Sequence, residues 1–232
     1  MNCLRSISLL LLSILVLSSS ASADILVSFG PSVPGPLIAG SSGLINVFVR
    51  ASAGTETLDG FLVEIGLSGG PAGGLIFSPI QTESQLTDPG YVFAGKSLNF
   101  NTGLPVGLVG PATTYSGADF TDDGSGPPPL PGLPAPVTLT TTNKLLFRLN
   151  LSAVTAGIYT IDVTPFPISD FLDPAFTSIP FSSIAGSITV DPAAAVPEPG
   201  SMLFCGVVAA CAGVTGWCRR KKSASSCTEQ TC

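Results

Sequence analysis

The stretch FLVEIGL at positions 61–67 puts Phe61, Val63, Ile65 and Leu67 on alternate residues, with Leu62, Glu64 and Gly66 between them. A strand sends successive side chains to opposite faces, so this spacing makes one apolar face and one mixed face; a helix would need apolar residues three and four apart. The same period of two recurs along the chain. LINVFVR (44–50) sets Ile45, Val47 and Val49 against Asn46, Phe48 and Arg50. KLLFRLNL (144–151) sets Leu145, Phe147, Leu149 and Leu151 against Lys144, Arg148 and Asn150. IYTIDV (158–163) turns Tyr159, Ile161 and Val163 inward and Thr160 and Asp162 outward. Ile25, Val27 and Phe29 open the series, Ile188 and Val190 close it, and no ten-residue stretch between has helical periodicity. The expected fold is all-β: an antiparallel β-sandwich over residues 24–190.

Between these runs lie GPSVPGP, SGGPAGG, LTDPG and DDGSGPPPLPGLP, part of a chain with 26 glycines and 21 prolines. Such clusters supply turns, and the last, residues 122–134, is too rich in proline for a central strand and reads as an extended loop. Cutting the body there would leave too few strands on each side, so one domain with a long loop is expected.

Composition excludes several kinds of chemistry. The chain has no histidine, which removes the commonest general base and zinc ligand. No cysteine falls between Asp24 and Phe204, so the body has no disulfide, thiol nucleophile or thiolate metal site. It carries thirteen acidic and four basic residues between 24 and 195, a net charge of −9. That sign disfavours nucleic acid and anionic lipid and suits divalent cations or a solvated surface.

Four constellations stand out. Gly66, Ser68 and Gly70 match G-x-S-x-G, but Pro71 follows and no histidine can activate the serine, so a glycine-rich turn is expected. DFTDDGSG (119–126) brings Asp119, Asp122 and Asp123 around a glycine turn, as oxygen ligands for Ca²⁺ or as solvated turn carboxylates. Asp162, Asp170 and Asp173 form a weaker group of the same kind. Tyr91 and Tyr115, in the turn-rich middle, are the candidate stacking residues for a sugar ligand. No catalytic residues are assigned, and a non-enzyme is expected.

The ends suggest an address. Residues 1–23 combine Arg5, an apolar run over 7–17 and Ala21-Ser22-Ala23, the pattern of a signal peptide cut by signal peptidase after Ala23. Residues 201–218 are uncharged, and as a helix would reach roughly 27 Å, close to the hydrocarbon thickness of a bilayer. Arg219, Arg220, Lys221 and Lys222 follow, placing the 219–232 tail in the cytoplasm. Residues 191–200 form a proline-rich linker containing Val196, Pro197, Glu198 and Pro199. Motif, apolar segment and basic cluster together resemble the PEP-CTERM sorting signal. That resemblance implies an exosortase substrate, held in the inner membrane before processing and then placed at the cell surface or outside, as a non-enzymatic component of envelope or extracellular matrix. The body is similar to cohesin-like and carbohydrate-binding sandwiches across 44–50, 58–67, 144–151 and 157–161. This second resemblance implies the alternative: a binding module for a surface protein or polysaccharide, with Ca²⁺ as a possible aid.

Overall fold

The computed structural model describes residues 24–194, apart from 32–34, 111 and 128–129. Two sheets pack face to face. The first is built, in spatial order, from β13 (Phe181–Ile184), β1 (Ile25–Pro31), β3 (Ser42–Ala51), β10 (Lys144–Ala153) and β6 (Leu75–Phe77). The second runs β2 (Leu37–Ile38), β14 (Gly186–Asp191), β11 (Gly157–Val163), β5 (Gly60–Gly69), β8 (Thr114–Phe120) and β7 (Gly107–Val109), with β12 (Asp170–Leu172) paired to the start of β5. A short pair, β4 (Glu56–Leu58) with β9 (Val137–Leu139), completes the strands, and α1 (Leu98–Thr102) is a single helical turn or so. The described body lies in one compact unit, Met1–Ala193; of the second, Ala194–Cys232, only Ala194 is described.

The alternating residues meet between the sheets. Val27, Val47, Val49, Phe61, Val63, Ile65 and Ile161 are fully buried. Apolar area removed from water at about 25 cal/mol per Å² is the force that holds a body without disulfides together. Aromatic rings fill its centre: Phe61 meets Phe147 edge-on at 5.4 Å between centroids, and Tyr115 meets Phe147 at 5.3 Å. Edge-to-face rings of this kind add stability beyond their buried area.

Pairing departs from the expected antiparallel scheme at one edge of the sandwich. β1 pairs with β13, and β2 with β14, in parallel. At this edge the chain passes from the first sheet to the second at two places, from β1 to β2 and from β13 to β14. The two switching segments run side by side in the same direction, which makes both pairs parallel.

Alternation also breaks in β10. Leu145, Leu146 and Phe147 are all buried, and the register with β3 slips between Leu145 and Phe147. A bulge inserts one residue and turns the strand. The backbone of Leu145 is thereby turned to the residues before α1: its N–H donates to the Gly90 carbonyl, and its carbonyl accepts from the Val92 N–H.

The transmembrane half of the sequence expectation is corrected. Among the described residues no helix is long and apolar enough to cross a membrane. The expected span at 201–218 lies outside the described residues, as do the linker from 195, the tail at 219–232 and the signal segment at 1–23.

Candidate functional site

The outer faces of the two sheets differ. Along the free edge of β10 in the first sheet runs the segment 78–92, which then crosses between the sheets to reach Asp119 of β8 through Tyr91 and Ser97. Arg148 of β10 donates through Nη2 to Asp88 at 2.7 Å and through Nε to Asn46 at 3.3 Å. One residue pair along β10, the Asn150 N–H donates to Gln81 Oε1 at 2.7 Å. Asp88 also accepts from the Gly90 N–H, and that bond together with Arg148 holds its carboxyl below the usual carboxylate range.

The second sheet has no strap along its centre. Outward residues of β5 stand between those of its neighbours in register: Leu62 between Ala118 and Asp170, Glu64 beside Ser116, Gly66 between Thr114 and Asp162, Ser68 beside Thr160. A side-chain carbon added at Gly66 would meet nothing within 4 Å. Leu62 is 46% exposed, Leu108 of β7 71% and Ile158 of β11 67%. The result is a shallow face of small, hydroxyl and aliphatic groups. Its charges are of one sign, Glu64, Asp162 and Asp170, whereas Arg50, Lys144 and Arg148 belong to the first sheet. Among the described residues the single ion pair is Arg148 with Asp88.

Asp119, a predicted metal ligand, points from β8 into the core and is fully buried. It accepts from the Tyr91 hydroxyl (2.8 Å), the Ser97 hydroxyl (2.5 Å), the Asn99 N–H (3.1 Å) and the Phe120 N–H (2.8 Å). Burial pushes its carboxyl up, and the four donors pull it back. Both oxygens are thus committed to holding the crossing segment and the first turn of α1 against β8. Beside it, the Thr121 hydroxyl donates to the buried Asp59.

Tyr91 and Tyr115, the predicted stacking residues, are each 1% exposed. They are core aromatics, and burial raises both hydroxyls, with the charge of Asp119 adding to the rise at Tyr91. Neither offers a ring to a sugar. Gly66, Ser68 and Gly70 end β5 in a turn in which Gly69 and Gly70 take positive φ, 75° and 57°, so no nucleophile elbow forms there. Asp162 accepts from Ser183, and Asp170 from Ser178. Asp173 accepts the N–H groups of Ala175 and Thr177 in its own turn. Among the described residues no three His, Cys, Asp or Glu side chains gather in a way that could hold a metal.

A cleft of about 590 Å³ opens where β2 and β14 part from β3; Leu37, Leu44 and Ile188 line it, and Asp191 is its one charged residue. A smaller one, about 400 Å³, lies between 165–166 and 178–183. Neither brings acid, base and nucleophile together, which hydrolytic chemistry would need.

No family model and no curated protein matches the chain. Solved structures of similar shape do. Cohesin modules are among them. A type I cohesin–dockerin complex from Clostridium thermocellum shares 14% identity over 76% of this chain and 99% of its own, with a TM-score of 0.47. The third ScaC cohesin of Acetivibrio cellulolyticus, also in complex with a dockerin, shares 11% over 72% and 99%, at 0.46. A type III cohesin from the ScaE scaffoldin of Ruminococcus flavefaciens shares 11% over 75% and 92%, at 0.45. These are likenesses of shape and assign the chain to no family.

The reading of the chain as an exosortase-processed PEP-CTERM protein is corrected. No family model matches the chain, and among the described residues no helix is long and apolar enough to cross a membrane. Roles for exosortase, signal peptidase and the inner membrane, and placement in envelope or matrix by that route, are set aside. The residues on which they rested, Ala21, Ala23, Val196, Pro197, Glu198, Pro199, Arg219, Arg220, Lys221 and Lys222, lie outside the described residues.

Proposed function

We propose that the body is a non-catalytic binding module whose partner is a protein that docks on the outer face of the seven-stranded sheet. One observation carries this reading: that face is bare and shallow around Leu62, Gly66 and Ala118, with Leu62 half exposed and open space above Gly66. Shallow faces with aliphatic groups amid hydroxyls suit protein surfaces, whereas small molecules favour enclosed pockets. A polysaccharide is disfavoured because the body's tyrosines face inward or brace a turn: Tyr159, the third, is 2% exposed and donates its hydroxyl to the Thr155 carbonyl. The chemistry of the site points away from catalysis, since histidine is absent and the buried Asp119 is fully occupied by donors.

A dockerin is the first probe to try, as it is the partner in two of the similar structures. Full-length protein is tested by surface plasmon resonance against a panel of immobilised dockerins, beside Gly66→Arg and Ala118→Arg on the bare face and Lys144→Ala on the other sheet. We expect a micromolar or tighter complex, weakened at least tenfold by either arginine and unchanged by Lys144→Ala. Equal affinity in all variants would reject the docking face, and silence across the panel would reject the dockerin-type partner.

A further inference from the structure

Asp122 is 1% exposed, and its two oxygens are treated differently. Oδ2 accepts from Asn101 Nδ2 at 2.7 Å, while Oδ1 is buried and receives no donor. A buried carboxylate oxygen without a partner is costly, and native proteins rarely leave one so. Its surroundings have little to offer. The 122–136 loop contains prolines at 127, 128, 129, 131, 134 and 136, none of which has an N–H to give. The loop's carbonyls are in surplus: those of Leu130 and Pro131 turn toward Gly126 and accept no hydrogen bond among the described residues. Asp123 stands next to Asp122, and its Oδ1 takes the N–H groups of Ser125 and Leu133, both at 2.8 Å. Both carboxylates converge on Gly132, where an added side-chain carbon would lie 2.6 Å from Asp122 Oδ1 and closer still to Asp123 Oδ1. No lysine or arginine pairs with either among the described residues.

We propose that this loop binds a hard divalent cation of the Ca²⁺ type, through Asp122 Oδ1, the Asp123 carboxylate and the carbonyls of Leu130 and Pro131. Ca²⁺ accepts carboxylate and carbonyl oxygens in flexible geometry, so a site with fewer than three acidic side chains is open to it. Asp119, the third acid of the motif, takes no part, because its oxygens already hold four donors. Two carboxylates place the affinity at the weak, extracellular end of the Ca²⁺ range, about 10⁻⁴–10⁻³ M. The bound ion would fasten the loop to α1 through the Asn101–Asp122 bond.

The test is thermal unfolding of the full chain in EDTA and in 10 mM CaCl₂, for the native protein and for Asp122→Asn. Native protein should gain about 3–8 °C with Ca²⁺, and Asp122→Asn should gain none. If Asp122→Asn does not fold, Asp123→Asn at the exposed neighbour makes the same comparison by calorimetric titration, with at least a fivefold loss of Ca²⁺ affinity expected. A native protein indifferent to Ca²⁺ overturns the proposal and leaves the orphan oxygen to a buried water. A gain retained in full by the variants overturns it too, by placing the ion elsewhere.

Discussion

Replacing Asp119 by alanine tests whether one buried carboxylate organises the middle of the chain. In the native protein it is the shared acceptor for the Tyr91 hydroxyl, the Ser97 hydroxyl and the Asn99 N–H, which come from a segment with no strand of its own. Alanine leaves these donors facing the core. An unpaired buried donor costs about 1–3 kcal/mol, and Ser97 can turn its hydroxyl elsewhere. A total loss of about 3–5 kcal/mol follows. For a body of this size that is a fall of about 8–15 °C in Tm. Urea unfolding followed by far-ultraviolet circular dichroism measures it. Tyr91→Phe alone should cost about 1 kcal/mol, and in the Asp119→Ala background it should cost less, because it removes a donor that has already lost its acceptor. A loss below 1 kcal/mol for Asp119→Ala, or strict additivity with Tyr91→Phe, would refute the argument.

Two further predictions concern packing and charge. Gly117→Ala should destabilise by about 1–3 kcal/mol, since the added carbon would lie 2.5 Å from the buried Phe147 ring, whereas Gly66→Ala, with open space above it, should stay within about 0.5 kcal/mol of native; equal urea midpoints for the two variants would contradict the packing. Asp88 is held below its unfolded value, so its contribution to stability is present above the usual carboxylate range and is lost as pH falls through that lowered value. Asp88→Asn should therefore flatten the acid limb of the stability profile between about pH 4 and pH 2, and an unchanged slope would mean that the Arg148 strap contributes nothing there.

The strands legible in sequence are those whose inward residues are all apolar: β1, β3, β5, β10, β11 and β14. β8 was not, although it pairs with β5 over seven residues at the centre of the second sheet. Its inward residues are Tyr115, Gly117 and Asp119, and only the first is apolar and large. Gly117 is small because the Phe147 ring lies against it, and Asp119 is polar because the crossing segment needs an acceptor. Both choices are dictated by partners about thirty and twenty residues away, so no local period could announce them.

The acidic motif was visible in sequence, but the roles of its members were not, and the reason is geometric. Strand alternation turns Asp119 inward, and Asp122 follows once the strand has ended, so three acids within five residues enter different surroundings. Asp119 gains four donors, Asp123 two N–H groups of its own loop, and Asp122 one amide on one oxygen. A motif reports which oxygens are near in the chain; which remain unsatisfied depends on donors supplied from elsewhere, here α1 and the segment before it. The proline content of the following loop is the one sequence signal that bears on that balance, because each proline removes a donor from the ledger and leaves its carbonyl. Counting donors against acceptors around Asp122, rather than acids alone, is what separates a candidate ion site from the structural carboxylate three residues before it.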